Sequence, residues 1–336
     1  MGCRTMNTED RHALPGSTDR SGRGNLAPST IILPELGIKY GICKGERKQP
    51  DIQGFWSEFT DTVELVKDHL LERFELMCNQ SLASAPFMYG NRTWKGTDDE
   101  YCECEKTGSL YPLLRHGSLV IGYLGISELC KAMFGKTHDE DEEAYNFALD
   151  VVRFIYNKTV DYSNKYDLNF GCYASPAESL CHTAMSRAKA RHGIIEGVTD
   201  KEYFTNSHHV DVSHKLTVEE KINIEQPFNE YAKSGCITYV ELESNVLSNP
   251  EAVEVIIDYA MDKNITYMAI NFPINTCLDC GFSEGEIDTC PVCNSTNIEK
   301  LGRVTGYLTS DYRNFNKGKQ NEFLDRVKHA VKREYL

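Results

Sequence analysis

Strand, helix and strand follow one another with short connections between residues 236 and 272, and that order predicts an α/β protein. Residues 236–242 (CITYVEL) read as a strand. Asn249 followed by Pro250 makes a strong helix start, a capping side chain and then a residue whose missing N–H costs nothing in the first turn. Val253, Ile256, Ile257 and Ala260 continue that helix over Glu251–Met261, and 265–272 (ITYMAINF) reads as the second strand. Strands joined through a helix must run parallel. A second observation agrees: Phe55, Phe59, Val63, Val66, Leu70, Phe74 and Met77 recur every three or four residues, the stripe of a long helix packed on one face.

The remaining elements follow in order. Residues 1–28 read as a loop punctuated by Pro15, Gly16, Gly22 and Gly24, and 29–33 (STIIL) as a short buried strand ended by Pro34. Leu119–Phe134 is helical at its end, through Ile126, Leu129, Cys130 and Met133, with Gly135 as its stop. The acidic run THDEDEE reads as the solvated start of a helix over Glu143–Asn164, since carboxylates suit a helix N-terminus. Residues 203–212 (YFTNSHHVDV) read as a strand, on which His208 and His209 would face opposite ways and share no metal. A last helix is expected around Phe323, Leu324, Val327 and Val331.

Composition narrows the function classes. The chain has 336 residues, 40% of them hydrophobic, enough to bury a substantial core. A net charge of −14 disfavours a protein that grips nucleic-acid backbones, yet leaves room for a small anionic substrate at a locally basic site. No stretch reaches the roughly 18 apolar residues of a bilayer span, and the N-terminal residues lack the apolar core of a signal peptide. Thirteen cysteines, an odd number with no secretion signal, point to a reducing cytoplasm and to metal or thiol chemistry.

Four of those cysteines form the pattern CxxC, nine residues, CxxC, in CLDCGFSEGEIDTCPVC at 277–293. Each CxxC turn can supply two thiolates to one tetrahedral ion, so Cys277, Cys280, Cys290 and Cys293 are expected to bind a structural Zn²⁺. Gly281 and Pro291 suit the tight turns of a zinc ribbon. A redox dithiol pair or an iron–sulfur cluster are the alternatives, and they match the paired turns less well.

Thirteen residues past Cys293 comes Arg303-Val304-Thr305-Gly306-Tyr307-Leu308. Taken alone, Gly306 is an ordinary turn residue. In this position, close behind four cysteines near the C-terminus, the sequence resembles the glycyl-radical loop of the class III anaerobic ribonucleotide reductases. MGCR at 1–4, GRGNL at 22–26, LPELGI at 33–38, HGSLVIGYLGISELCKAMFG at 116–135, YASPAESLC at 173–181, GVTDKEYFTNSHHVDV at 197–212 and NFPINTCLDCGF at 271–282 resemble further blocks of that family, in the same order.

The resemblance implies a fold and a mechanism. The fold would be part of a ten-stranded α/β barrel, with residues 1–270 as a partial catalytic barrel that includes a finger loop (1–28), residues 271–300 as the zinc ribbon, and residues 301–336 as the radical loop and C-terminal helix. Gly306 would store the radical, installed by a separate iron–sulfur activating enzyme using S-adenosylmethionine, and Cys3 would become the transient thiyl. Met1, two residues before that cysteine, and Asn25 match positions that family members using formate as reductant employ. Glu178 and Ser179 would line the substrate pocket. The substrates would be ribonucleoside triphosphates, converted to deoxynucleotides for DNA synthesis in the cytoplasm. Family proteins are about twice as long and form homodimers. Their first half carries an allosteric nucleotide site and further barrel strands, so an N-terminal companion polypeptide is expected to complete this chain. The rival expectation is an inactive reductase-derived chain that serves as a zinc-ribbon binding or assembly subunit.

Overall fold

The computed structural model describes residues 4–243, 249–285, 287–304, 307–309 and 311–331. The chain begins with β1 (Asn25–Ile32), α1 (Leu33–Tyr40), α2 (Ile52–Cys78), α3 (Asp98–Thr107) and α4 (Tyr111–Leu114). Then come β2 (Ser118–Leu124), α5 (Ile126–Phe134), α6 (Glu142–Tyr166), β3 (Asn169–Ala174), α7 (Glu178–His192) and α8 (Val218–Asn229). They are followed by β4 (Thr238–Glu241), α9 (Pro250–Asp262), β5 (Met268–Asn271), β6 (Ile274–Cys277), β7 (Ser283–Glu284), β8 (Ile298–Val304), β9 (Tyr307–Thr309) and α10 (Lys317–Asp325).

Strands β1, β2 and β3 form one parallel sheet in that order, and β4 and β5 form a parallel pair. The two sets are joined. Ser234 N–H donates to the Cys172 carbonyl at 2.9 Å and Ala174 N–H to the Gly235 carbonyl at 3.0 Å, which lays the run into β4 beside β3. Helices follow each of the first four strands, as parallel connections require. Every residue of β2 and β3 is buried, the mark of strands covered on both faces. The outer cover is α2 and α6. Phe55 and Phe59 of α2 stack at 5.5 Å, and Phe55 packs 4.9 Å from Phe147 of α6. A separate antiparallel sheet, in the order β7-β6-β8-β9, follows at the C-terminal side.

The α/β class, the β4-α9-β5 unit and the long helix α2 agree with the sequence reading, including the Asn249 cap, which accepts from Ala252 N–H. Four elements differ. The first strand starts at Asn25, inside the expected loop, because β1 gains a ladder with β2 from its first residue. Residues 203–212 form no strand, although 203–210 are buried: the Thr205 and Ser207 carbonyls accept from Gly125 and Ile126 N–H at the start of α5, and Thr205 donates its N–H and hydroxyl to Glu128. The acidic run before α6 is more than a solvated start, since His138 is buried with Nε2 on the His208 carbonyl, and Asp139 takes the His214 imidazole at 2.6 Å. The last helix is displaced toward the N-terminus. Val327 and Val331 lie beyond it, because Val327 N–H and His329 N–H leave the helix to bond the Val212 and Glu241 carbonyls.

Residues 4–11 run along the parallel strands, from the turn before β4 to the first residue of β3. Met6 N–H donates to Ser234 O at 2.9 Å, Asn7 donates to Arg23 O, and Arg11 N–H reaches the Asn169 side chain. Near one end the Arg4 carbonyl sits where a Cβ on Gly235 would be, only 1.9 Å from that ideal position, and Gly235 has φ +139°. No side chain fits there. At the other end His116 bridges two carboxylates, Nδ1 to Asp10 at 2.8 Å and Nε2 to Glu100 at 3.0 Å. Burial opposes charge on all three groups. Hydrogen bonds outweigh it: the two acids raise His116, His116 lowers Asp10, and the Thr97 backbone N–H, Arg115 and His116 together bring Glu100 down to about 2.

Two outcomes follow. Gly235→Ala should cost at least about 2 kcal/mol, from strain at a positive φ and a clash with backbone, read as a lower urea midpoint and as faster proteolysis within residues 4–24. The raised His116 contributes stability that is complete below about pH 6.5 and lost as pH rises through its folded value, whereas Asp10 and Glu100 contribute above about pH 4 and lose it on acidification. Urea midpoints should therefore fall between pH 6.5 and 8, and His116→Gln should flatten that decline; an unchanged slope would remove His116 as its source.

Candidate functional site

The four cysteines converge. Sγ of Cys277 lies 3.5 Å from Sγ of Cys293, Sγ of Cys280 lies 3.5 Å from Sγ of Cys290, and all four sulfurs fall within 4.8 Å of one another. A tetrahedral ion with metal–sulfur bonds of about 2.3 Å needs sulfurs roughly 3.8 Å apart. Two like turns build the site. Gly281 N–H donates to the Cys277 carbonyl and Asn294 N–H to the Cys290 carbonyl, and both residues have left-handed backbone, φ +77° and +57°. Gly281 was legible in the sequence; Asn294, which plays the same part in the second turn, was not singled out. The donor set fits a zinc ion. The twelve cysteines among the described residues form no disulfide.

The cysteine turns grow out of the antiparallel sheet, whose strand β8 pairs with β6 on one side and β9 on the other. Val304, at the end of β8, pairs with Tyr307, at the start of β9. Gly306 lies between them, outside the described residues. Tyr307 places its hydroxyl 3.1 Å from Ser179 Oγ, in the first turn of α7, and half-buried Glu178 begins that helix. The chain beyond is clamped to the body. Buried Arg326 pairs with Glu241 of β4 and, at 2.9 Å, with Glu322, which also pairs with Lys319, and Tyr203 donates to Asp325 at 2.9 Å.

Cys3 and Met1 also lie outside the described residues, but Arg4 does not. Its backbone rests on Gly235, and its guanidinium lies over the Tyr239 ring at 5.7 Å with Nη1 3.3 Å from His209 Nε2. Gly235 accepts from Ala174, the last residue of β3, and α7 starts four residues later at Glu178. The segment that carries Arg4 thus lies by the last residue of β3, and the hairpin that carries Tyr307 lies by the first turn of the helix that follows it, at a strand end of the kind where open α/β sheets hold their ligands. Asn25 stands at the first position of β1 opposite Ser118, with both amide atoms buried and unpartnered, and it bonds none of the other candidate residues.

Sequence reasoning passed over the polar cluster behind this point. Tyr123 O–H and His208 Nδ1 lie 2.6 Å apart, and His208 Nε2 meets Asn229 at 2.9 Å. His209 Nδ1 meets Glu225, which also takes Lys221. Burial, outweighing Glu225, pushes His209 down to about 4, so its ring is neutral near pH 7. His209 and Tyr239 also line a small cavity of about 30 Å³ with Lys221, Glu241, Arg326 and His329. The available signal was the pair of histidines inside an apolar run.

Comparison with known proteins places this arrangement. A family model described as anaerobic ribonucleoside-triphosphate reductase matches residues 1–329. The chain is 32% identical to the Escherichia coli anaerobic ribonucleoside-triphosphate reductase over 98% of its own length and 46% of that protein's. The Haemophilus influenzae enzyme of that name is 31% identical with the same coverage, and that of enterobacteria phage T4 is 29% identical over 98% and 52%. The chain thus spans about half the length of the curated relatives it matches. Among solved structures, an anaerobic ribonucleotide reductase shares the fold with a TM-score of 0.68 at 21% identity, over 95% of this chain and 48% of that one. The Thermotoga maritima anaerobic ribonucleotide reductase with glycerol in the active site gives 0.62 at 21% identity, over 90% and 44%. No helix among the described residues is long and apolar enough to cross a membrane. The family model covers nearly the whole chain, and on that ground the chain belongs to the anaerobic ribonucleoside-triphosphate reductase family.

Proposed function

We propose that this chain is the catalytic portion of an anaerobic ribonucleotide reductase that works by glycyl and thiyl radical chemistry. One observation carries the reading: the segment that follows Cys3 reaches the last residue of β3 through Gly235, and the hairpin that brackets Gly306 reaches the first turn of α7, the next element of the chain. The parts proposed are a partial barrel over 1–270, a ribbon over 271–300 and the radical loop with its helix over 301–336. The last two are joined through β8. Zinc, held by Cys277, Cys280, Cys290 and Cys293, supplies a structural crosslink in place of a core too small to fix the loop by itself.

A radical at the Gly306 Cα, delocalised over the flanking amides and installed by an S-adenosylmethionine-dependent iron–sulfur enzyme, takes the hydrogen atom of the Cys3 thiol. The thiyl takes the 3′ hydrogen of a ribonucleoside triphosphate. The 2′ hydroxyl leaves as water with a proton, and formate, becoming carbon dioxide, supplies two electrons and the hydrogen that replaces the hydroxyl at C2′. Cys3 returns a hydrogen atom to C3′, and Gly306 restores the thiol. Met1 and Asn25 are the residues proposed to serve the formate step, and the unpartnered amide of Asn25 supports a ligand there. Ser179 and Glu178 are proposed beside the substrate, with Ser179 also steadying Tyr307. Activity is proposed for the chain together with the remaining part of the relatives' length, on this polypeptide or another, and as a homodimer in the cytoplasm.

The test is electron paramagnetic resonance after anaerobic activation. A glycyl doublet is expected, absent in Gly306→Ala and present without turnover in Cys3→Ser; no doublet in an activated wild-type sample contradicts the reading. Chelation of zinc, or Cys290→Ser, should lower the doublet yield at least tenfold while the far-ultraviolet circular dichroism of the α/β body changes little. Full radical yield in a metal-free chain would show that the ribbon does not position the loop.

A further inference from the structure

Arg4 is 1% exposed, and buried guanidinium groups need an opposite charge, because removing one from water costs several kcal/mol unless a partner restores it. Arg4 forms no ion pair with a carboxylate among the described residues, whereas buried Arg326, Lys319 and Lys221 all do. Its Nη1 is turned to His209 Nε2 at 3.3 Å. Its Nε and Nη2 atoms are buried with no hydrogen-bond partner among the described residues. Those two nitrogens lie on one edge of the guanidinium plane, the edge that receives two oxygens of a carboxylate or phosphate side by side.

The neighbours do not neutralise it. Glu225 is the carboxylate behind His209, and it already accepts from Lys221 and from His209 Nδ1. Counting Arg4, Lys221 and Glu225 with a neutral His209 leaves one positive charge in excess. Tyr239 carries a second cation on its ring, Arg326 at 5.8 Å, so the aromatic contact does not discharge Arg4 either. The group is also held in place. The Gly235 contact fixes its backbone, and His209 and Tyr239 hold its head.

We propose that the Nε–Nη2 edge of Arg4, next in sequence to Cys3, is an oxyanion-binding site. The ligand chemistry is a planar carboxylate or a phosphate. Resting on the radical-reductase reading, the two sources are the formate reductant and the triphosphate of the nucleotide; the oxyanion site itself rests on the geometry alone. Arg4 is thus a binding residue, holding one reactant by a charge-assisted bidentate contact.

The experiment uses the full chain and two probes, ¹³C-formate and inorganic tripolyphosphate, followed by ¹³C and ³¹P line broadening. One probe is expected to bind, and Arg4→Met should weaken it roughly ten- to hundredfold, with Arg4→Lys intermediate because it keeps the charge but loses the fork. Formate broadening that depends on Arg4 assigns the site to the reductant; tripolyphosphate broadening that does so assigns it to the nucleotide. Neither probe binding to folded wild-type chain, or equal binding by folded Arg4→Met, overturns the proposal. If Arg4→Met does not fold by circular dichroism, Arg4→Lys decides, and unaltered affinity in it overturns the bidentate contact. The radical reading fails separately, by the absence of the glycyl doublet, and that failure leaves Arg4-dependent broadening intact.

Discussion

Everything assigned to this chain depends on a close backbone approach. The Arg4 carbonyl occupies the space of a side chain that Gly235 does not have, and this lets residues 4–11 lie against the parallel strands instead of outside them. A glycine is the only residue that permits both the φ of +139° and the contact. Once that segment is in place, Arg4 must be buried, and the polar groups of His209, Glu225 and Lys221 acquire a reason to be inside. The histidine bridge between Asp10 and Glu100 secures the far end of the same segment with groups that favour one another's charged forms.

The second arm of the site is held by different physics. A ribbon of some thirty residues with short strands has little apolar area to bury, so the four sulfurs and two left-handed turns take the place of a core. Strand β8 transmits that rigidity to the residues around Gly306, and the buried Lys319–Glu322–Arg326–Glu241 network ties the chain beyond them back to β4. One arm is fixed by packing and the other by metal-ready thiols and ion pairs. The first ends by the last residue of β3 and the second by the start of α7.

Much of this was legible before the structure. The βαβ unit declared itself through Asn249-Pro250 and its flanking apolar runs, and the ribbon through cysteine spacing, because both signals are local. The misreadings share a cause. Residues 203–212 look like a strand by composition, but their backbone groups are taken by Gly125, Ile126 and Glu128, some 80 positions earlier, and no periodicity records that. Val327 and Val331 fit a helical stripe, yet Val212 and Glu241 draw that stretch out of the helix. The capping boxes at Thr97 and Thr217, each with a glutamate three residues on, were readable helix starts for α3 and α8 that went unused. Arg4 was visible only as a letter in MGCR. Its burial without a counter-charge belongs to the folded state.

The central claim is that Gly306 stores a backbone radical, and oxygen offers the most direct measurement of it. A glycyl radical adds dioxygen at Cα and the peptide then breaks at that residue. Intact-mass spectrometry of the anaerobically activated chain, before and after exposure to air, should show a new species ending near Gly306 and a companion fragment of roughly thirty residues covering 307–336. A chain that carries the activated doublet yet stays full length in air, or breaks elsewhere, would contradict the account.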